Sequence, residues 1–220
     1  IADAEDIDTY RFRAEITASG DAFVDDPDMA MFSDGITIEG AFVKDPYATD
    51  VAMEIPGLGE IGFREVDGAA YANFGGMWTE STSEEALNVD DLAPITADDL
   101  GDDLDRLENA GEEEVNGRDT THYIADKELL QEIAEEQGET SDASFDFASA
   151  DEAQLDVWLD QEYGFVVKLE LSAEGAGLND TNPDATGRVE FNLEYYDFNA
   201  DDIVIEVPEL TDTGDTGDTR

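Results

Sequence analysis

Apolar and charged side chains alternate with a period of two along most of this chain, and this alternation limits the folds that it can adopt. In AQLDVWLDQEYGFVVKLEL, residues 153–171, two such runs follow one another with a short break at Gly164. Because successive side chains of a β-strand point to opposite faces of the sheet, each run predicts a strand with one apolar and one polar face. Such a sheet needs something to cover its apolar face.

The same alternation predicts strands in both the first and the last third of the chain. The predicted strands are residues 8–18, 35–43, 47–55, 60–66 and 69–74, a short run from Met77, and then 151–162, 164–173, 187–198 and 202–207. Asp67-Gly68 and Asn116-Gly117 predict tight hairpin turns, because these residue pairs tolerate positive φ. The second of these turns lies in a hairpin predicted over residues 112–125. The last four strands predict an antiparallel meander.

The pattern changes to a helical period in the middle of the chain. Leucines recur at spacings of four and three within residues 97–109, which predicts a short helix with Thr96 as its N-cap. A second helix is predicted over residues 126–137, because apolar positions recur at helical spacing and Gly138 follows them.

The remaining segments are polar and predict loops. Residues 139–150 have the composition of a loop, and the Gly-Asp-Thr repeats of residues 211–220 are typical of a low-complexity tail. A single domain over residues 1–210, followed by a tail over 211–220, is therefore predicted.

The predicted helices are too few to cover the predicted sheet. A helix about 10 Å wide covers roughly two strands at their spacing of about 4.8 Å, so two helices leave most of the apolar face uncovered. Three architectures satisfy this sheet: a β-sandwich, a closed lipocalin-like barrel, and a strongly curved half-barrel with two or three short helices over its concave face. The mid-chain position of the helices favours the half-barrel. The predicted fold class is α+β, mainly antiparallel β.

The charge of the chain limits its surroundings and its partners. It has 59 acidic residues against 10 lysines and arginines, for a net charge of -49. This charge opposes compaction in dilute buffer, whereas at about 1 M salt the screening length falls to roughly 3 Å. Because 40% of the residues are hydrophobic, disorder is excluded, and a halophilic protein from a salt-loving archaeon or bacterium is predicted. Nucleic-acid binding is excluded, because it would need a basic stripe.

Few residues in the sequence suggest catalytic or metal chemistry. The chain has no cysteine and one histidine, which excludes disulfides and multi-histidine metal sites, and neither a metal nor a cofactor is predicted. His122 and Asp119 are a candidate acid–base pair, and no nucleophile or oxyanion motif accompanies them. The sequon that begins at Asn179 lies in a loop rich in Gly, Asn, Asp and Pro and predicts glycosylation of Asn179.

The sequence also bears on membrane association. No apolar run approaches the roughly 18 to 20 residues that span a bilayer. The chain opens at Ile1 without an initiator methionine, which favours a mature or trimmed chain whose signal and lipid-modified cysteine precede it. Membrane contact is therefore expected only through an anchor outside this chain.

The order of several short motifs resembles a known family. These are TYRFRAEI, IEGAFVKDPYATDVAMEI, VDGAAYANFGGMW, VNGRDTTHYIADKELLQEI, LDVWLDQEYGFVVKLEL and VEFNLEYYDFNADDIVIEVPE. Together they are similar to the LolA-like lipoprotein superfamily, nearest its LppX and LprG branch, and to surface lipoproteins of salt-loving archaea. The resemblance covers residues 7–210, although the family's helix before the first strand is missing or reduced to residues 2–7 and the given sequence has no lipobox. It implies a half-open antiparallel barrel, a lipid anchor, a cell-surface location and carriage of acyl chains or lipidated molecules.

The leading prediction is a non-enzymatic, extracytoplasmic domain that binds a lipid or lipidated ligand in the concave face of the sheet. The predicted cavity-lining residues are Phe12, Ile38, Phe42, Val51, Met53, Phe63, Tyr71, Leu155, Val157, Leu159, Val167, Leu169, Phe191 and Leu193. The alternative is a cell-surface interaction or structural domain with a filled core and a protein partner. For this alternative, Trp158 and Tyr196, on the polar sides of their strands, are candidate contact residues.

Overall fold

The computed structural model describes five parts of the chain. They are residues 7–23, 32–81, 94–137, 150–179 and 182–211. The predicted loop over 139–150 lies outside these ranges except for its last residue, as does the predicted tail except for Thr211.

The described residues form one antiparallel sheet of eleven strands. The strands are β1 (Thr9–Ser19), β2 (Ile36–Val43), β3 (Ala48–Ile55), β4 (Gly59–Val66), β5 (Ala69–Phe74), β6 (Met77–Ser81), β7 (Glu108–Val115), β8 (Arg118–Asp126), β9 (Glu152–Asp160), β10 (Val166–Ala176) and β11 (Thr186–Tyr196). Their order is β6-β5-β4-β3-β2-β1-β11-β10-β9-β8-β7. The first and last strands thus pair in the middle, and β6 and β7 are the two edges.

The pairing register sorts the strand residues into two faces. Directly opposed residues of an antiparallel pair lie on the same face, and alternate residues of a strand lie on opposite faces. Tyr10, Phe12 and Ala14 of β1 define one face, which we call the inner face, and Arg11 and Arg13 define the outer face. The alternation in the sequence thus becomes an apolar inner face and a charged outer face.

The helices lie on the inner side, as predicted. Helix α1 (Ala97–Leu100) continues into a 3₁₀-helix (Gly101–Arg106), and α2 (Lys127–Gln137) follows β8. Leu100 and Leu104 pack against the inner-face cluster formed by Val157, Leu159 and Val166. Leu130 of α2 packs against a second cluster at the other end of the same face. Thr96 caps α1 through a reciprocal capping box with Asp99.

The sheet is strongly curved. The side-chain amide of Asn116, at the β7–β8 turn, donates a hydrogen bond to the carbonyl oxygen of Tyr195 in β11 at 3.2 Å. In the sheet order β9 and β10 lie between β8 and β11, which in a flat sheet would separate the two strands by about 14 Å. The β7–β8 hairpin therefore bends back across the end of the sheet, and Val115 joins the central core cluster.

Two predicted elements differ from the structure. The helix predicted over residues 97–109 ends at Arg106, because β7 begins at Glu108 and pairs there with Ile124 of β8. The strand predicted over residues 202–207 is not a strand. Residues 203–211 instead form an extended segment without strand pairing, which runs over the outer face and bonds to it through two hydrogen bonds, Arg64 Nη1 to Glu206 O at 2.9 Å and Thr211 N to Trp78 O at 3.0 Å.

Candidate functional site

The inner face carries a continuous row of side chains from one edge of the sheet towards the other. Reading across the register, the row is Met77, Phe74, Ile61, Met53, Ile38, Ala14, Leu193, Leu169, Val157 and Tyr123. A parallel row runs through Ile36, Ile16, Phe191, Leu171, Leu155 and Ala125. Ten of the eleven strands therefore contribute to one apolar surface.

The structure brings the predicted cavity-lining residues together on this face, with Tyr71 as the exception. Six of them are buried core residues, namely Phe12, Val51, Val157, Leu159, Val167 and Leu193. Seven are only half-buried, namely Ile38, Phe42, Met53, Phe63, Leu155, Leu169 and Phe191. The buried set forms the floor of the concave surface, and the half-buried set keeps part of its area exposed.

The apolar surface is most open near the β6 edge. Phe74 and Met77 face each other across the β5–β6 turn, and each side chain is 54% exposed. Leu58, in the β3–β4 turn at the same end of the sheet, is 73% exposed. An exposed group of large apolar side chains that continues into a concave apolar face is a feature of ligand-binding and interaction sites.

The assignment of Tyr71 to the cavity is wrong. Val66 pairs with Ala69 across the Asp67-Gly68 turn, so Phe63 pairs with Ala72, and Tyr71 pairs with Arg64 on the outer face. Tyr71 is 8% exposed there, on the part of the outer face to which Arg64 ties residues 203–211. The two-residue turn in the sequence fixes this register and could have placed Tyr71 correctly.

Gly40 allows the floor of the inner face to form. A Cβ atom built at Gly40 would clash with Cζ of Phe12 and lie 2.8 Å from the carbonyl oxygen of Asp50. The ring of Phe12 therefore lies over the backbone of β2, where it is fully buried between Val51 and Tyr195 in the central core cluster.

Aromatic packing holds the end of the inner face near Tyr195. Tyr10 stacks on Phe42, with ring centroids 5.1 Å apart, and meets Tyr195 edge-on at 5.9 Å. Burial raises the pKa of Tyr195, with a smaller contribution from the charge of Tyr10. The hydroxyl of Tyr195 therefore stays neutral within the core.

Trp158 lies on the outer face, as the alternation predicts, but it is not an exposed contact residue. It is 7% exposed, and the ring of His122 stacks on it at 4.4 Å while Lys168 Nζ lies 4.6 Å from its ring centroid. Its indole nitrogen donates to a carboxylate oxygen of Glu113. The contact role predicted for Trp158 is therefore contradicted, because both faces of the ring are covered.

His122 is held by the same outer-face cluster and has no catalytic geometry with Asp119. Its Nε2 lies 2.7 Å from Asp156 Oδ1, and its Nδ1 lies 3.3 Å from Glu113 Oε1. Asp119 points to the inner face, three positions before His122 on β8, so the two side chains lie on opposite faces. Within the described ranges, no cluster of three or more His, Asp or Glu side chains is arranged to hold a metal ion.

The folded structure contradicts glycosylation at Asn179. This residue is 4% exposed, and its Nδ2 donates a hydrogen bond to the carbonyl oxygen of Ala22 at 3.0 Å. A glycan would be attached to that nitrogen, which is buried and engaged here. A buried asparagine that closes a loop has the same local sequence as an exposed acceptor, so the sequon could not distinguish them.

Two surface cavities lie away from the apolar rows. One, of about 640 Å³, is at the end of the sheet and is lined by polar and glycine residues that include Asp151, Glu174 and Arg188. The other, of about 370 Å³, lies between the outer ends of β2 to β4 and residues 199–205. Neither is lined by any of the predicted cavity residues. Among the described helices, none combines the length and apolar character needed to cross a bilayer.

These features together define a class of protein. An open, strongly curved antiparallel sheet with an apolar inner face and short helices over that face is a half-barrel, which confirms the predicted α+β, mainly antiparallel fold class. The edges β6 and β7 do not pair with each other, so the sheet is not a closed barrel, and its single layer is not a sandwich.

Comparison with solved structures finds several chains of low sequence identity to this one. The chain is similar to the lipoprotein LppX of Mycobacterium tuberculosis, with 14% identity over 89% of this chain and 88% of LppX and a TM-score of 0.40. It is similar to LprF of Mycobacterium bovis, with 10% identity over 94% of this chain and 90% of LprF and a TM-score of 0.44. It is also similar to a structure of the MucA/MucB complex of Pseudomonas aeruginosa, with 17% identity over 87% of this chain and 54% of the matched chain and a TM-score of 0.32.

No protein-family model matches the chain, and no curated protein matches it either. At these identities and TM-scores, the structural likenesses carry no argument about what this chain binds.

Proposed function

We propose that this protein is a non-enzymatic domain that binds an apolar ligand, a lipid or a lipidated molecule, on the inner face of its sheet. The observation that carries the proposal is the half-buried apolar set on the concave side, which continues into Phe74 and Met77. A face that served only as a core would bury these side chains, because each fully buried large apolar side chain contributes about 1.5 to 3 kcal/mol.

The outer face supports a role without catalysis. The one histidine of the chain is held between Asp156 and Glu113 against Trp158, and Asp119 lies on the other face. The proposed location is extracytoplasmic, at the surface of a halophilic archaeon, with a lipid anchor outside this chain. The high acidic content, which suits concentrated salt, supports the halophilic part of this proposal.

Binding of the neutral fluorescent probe Nile red tests the function. Met53 is half-buried on the inner face, and its neighbour Ala52 is half-buried on the outer face of the same strand. Met53→Gln keeps the length of the side chain and makes the inner face polar, so Nile red affinity should fall by about threefold or more. Ala52→Gln introduces the same group on the outer face and should leave the affinity as in the parent protein.

Native mass spectrometry of protein purified from its source provides a second test. Co-purified lipid, lost from the Met53→Gln variant, is the expected result. If neither lipid nor Nile red binds to the folded protein, the ligand-binding function is wrong.

A second candidate function is that of a cell-surface interaction domain with a filled core. The six predicted lining residues that are buried in the core clusters favour it, because they leave no space beneath the half-buried set. In that case Met53→Gln would weaken capture of a protein partner while lipid extraction of the parent protein yields nothing.

A further inference from the structure

We propose that two copies of this chain associate in solution, in a two-fold symmetric dimer, through an uncharged apolar corner of the sheet. The corner consists of Leu58, Phe74, Met77 and Leu210, and we call it the β6 corner. The dimer does not depend on ligand binding by the inner face, because its contacts are side chains at the edge and turns of the sheet that are exposed in the single chain.

Three of these side chains lie on adjacent turns at one end of the sheet. Phe74 and Met77 face each other at the end of the β5–β6 hairpin, and Leu58 lies in the β3–β4 turn. The backbone nitrogen of Gly75 donates a hydrogen bond to the carbonyl oxygen of Glu60 at 3.4 Å, which joins the two turns. Because all three side chains are more than half exposed, the joined turns form one apolar projection.

The fourth side chain comes from the C-terminal segment. The backbone nitrogen of Thr211 donates to the carbonyl oxygen of Trp78 at 3.0 Å, which places the exposed Leu210 beside β6. This bond also occupies a backbone acceptor of the edge strand, so the copies meet through side chains and not by extending the strand ladder. Seven large apolar side chains are exposed in the part of the chain that the structure describes, and four of them belong to the β6 corner.

The turns of the β6 corner lack charge, in a chain that is otherwise densely charged. Charged residues make up 31% of the sequence, whereas residues 68–79 contain none and form its longest uncharged stretch. Residues 55–59, which contain Leu58, are also uncharged. Two molecules that each carry a net charge of -49 repel each other where their carboxylates meet, so these turns are where they can approach at least cost.

The other edge of the sheet is protected against such contact. β7 has four glutamates among its eight residues, and a bulge between Asn109 and Gly111 interrupts its pairing with β8. Charged side chains and bulges are the usual means by which an edge strand avoids association. β6 has one acidic residue, Glu80, and pairs with β5 without a bulge. Head-to-tail contact of the β6 corner with β7 would place apolar side chains against glutamates, whereas contact between two β6 corners closes a dimer.

The absence of charge from these turns also indicates the kind of partner. A basic partner would bind at the carboxylate-rich surfaces, so an uncharged corner suits a partner that is itself acidic. A second copy meets this requirement and supplies the same apolar side chains about a two-fold axis. Four partly exposed side chains offer on the order of 400 Å² on each copy, below the roughly 800 Å² per partner of a standard interface. We therefore expect a weak, reversible dimer.

Sedimentation velocity of the full chain tests the dimer. In about 2 M KCl, where long-range repulsion is screened, the weight-average mass should rise from that of the monomer towards twice that value between about 1 µM and 200 µM protein. Leu58→Glu places a charge in the β6 corner and should weaken association by about tenfold or more. Val204→Glu is the matched control and should associate as the parent does, because Val204 is 72% exposed, as Leu58 is 73%, and lies outside the corner.

Chemical cross-linking tests where the copies meet. The chain has no cysteine, so an introduced cysteine provides a single thiol. Met77→Cys should give a covalent dimer with bismaleimidoethane, because the two-fold axis passes through the β6 corner. Val207→Cys should remain monomeric under the same conditions, because Val207 is 55% exposed, as Met77 is 54%, and lies outside the corner. Circular dichroism checks that each variant is folded.

The outcomes separate the dimer from the proposed function. A parent protein that stays monomeric at the highest concentration overturns the dimer, and if it still binds Nile red the proposed function stands. Leu58→Glu that associates as tightly as the parent, or Val204→Glu that weakens association equally, overturns the β6 corner as the contact. A monomeric parent that binds a different protein through Leu58 assigns the corner to a foreign partner and overturns self-association.

Discussion

Asn116 at the β7–β8 turn and Tyr195 in β11 are joined by a hydrogen bond of 3.2 Å across the end of the sheet. The strands that carry them are separated by β9 and β10, so this contact exists because the sheet curves. Asn116 has a positive φ of 52°, which its Asn-Gly turn accommodates.

Replacement of Asn116 by glycine should loosen the curved end of the sheet. Asn116→Gly keeps a residue that accepts positive φ and removes only the amide donor, so the free energy of unfolding should fall by about 1 kcal/mol. Asp67→Gly is the matched control, because Asp67 has a φ of 51° in the corresponding turn between β4 and β5. Urea denaturation measures both, and equal effects of the two changes would contradict a role for the Asn116–Tyr195 bond.

A methyl group at Gly40 should disturb the floor of the inner face. Gly40→Ala places its Cβ against the ring of Phe12 and the carbonyl oxygen of Asp50, and overpacking of this kind costs about 1 to 3 kcal/mol. Phe12→Leu removes the part of the ring that the methyl group meets. In the Phe12→Leu background, Gly40→Ala should therefore cost less, and a double-mutant cycle from thermal unfolding measures the difference. Strictly additive changes would show that Phe12 does not occupy the space over Gly40.

The stability of the protein should fall at alkaline pH because of Tyr195. Its pKa in the folded state is raised by burial above the unfolded value of about 10, so the neutral hydroxyl favours the folded state. This contribution is fully present below about pH 10 and is lost as the pH rises from there towards the folded pKa. Chemical denaturation between about pH 8 and pH 11 should show the loss in the parent protein and a smaller loss in Tyr195→Phe.

Tyr196 provides the control for this measurement. It lies on the outer face and is only half-buried, and its pKa is raised by partial burial and by the charges of Glu39 and Asp197. Tyr196→Phe should therefore flatten the alkaline loss less than Tyr195→Phe does. A larger effect of Tyr196→Phe would mean that burial in the core is not the main cause.

The protein should need concentrated salt to fold cooperatively. Its net charge is -49, and raising ionic strength from about 0.1 M to 1 M shortens the screening length from about 10 Å to 3 Å. Thermal unfolding followed by circular dichroism should show a midpoint that rises steeply with KCl over this range. Sucrose at equal osmolality tests whether screening is the cause, and a midpoint that sucrose raises as much as KCl would contradict the electrostatic explanation.

Local pattern was enough to predict most of the fold because strand alternation and turn chemistry depend on neighbouring residues. The predicted strands over residues 35–43 and 69–74 correspond to β2 and β5 within one residue, and the predicted helix over 126–137 corresponds to α2. The turn at Asp67-Gly68 also contained the register that places Tyr71 on the outer face. The outer-face position of Tyr71 could therefore be predicted from the sequence, once β4 and β5 are considered as a pair joined by this turn.

Other features depended on contacts between distant parts of the chain. The apolar alternation of residues 202–207 predicts a strand, yet the segment is bonded to the outer face through Arg64 and Trp78, which lie more than a hundred residues earlier. The sequence predicts that Trp158 is exposed, whereas in the fold β8 and β10 place His122 and Lys168 against its ring. The sequence predicts that Asn179 accepts a glycan, whereas in the fold its side-chain amide donates a hydrogen bond to the carbonyl oxygen of Ala22.

The sequence by itself determined which side chains share a face, because alternation along a strand is a property of the backbone. It also determined the net charge of -49, because composition does not depend on the fold. Only the tertiary structure decided how far the sheet curves, which inner-face residues are buried and which stay half-buried, and which segment covers the outer face. Those properties depend on packing between strands and segments far apart in sequence, where Asn116 meets Tyr195 and Phe12 lies over Gly40.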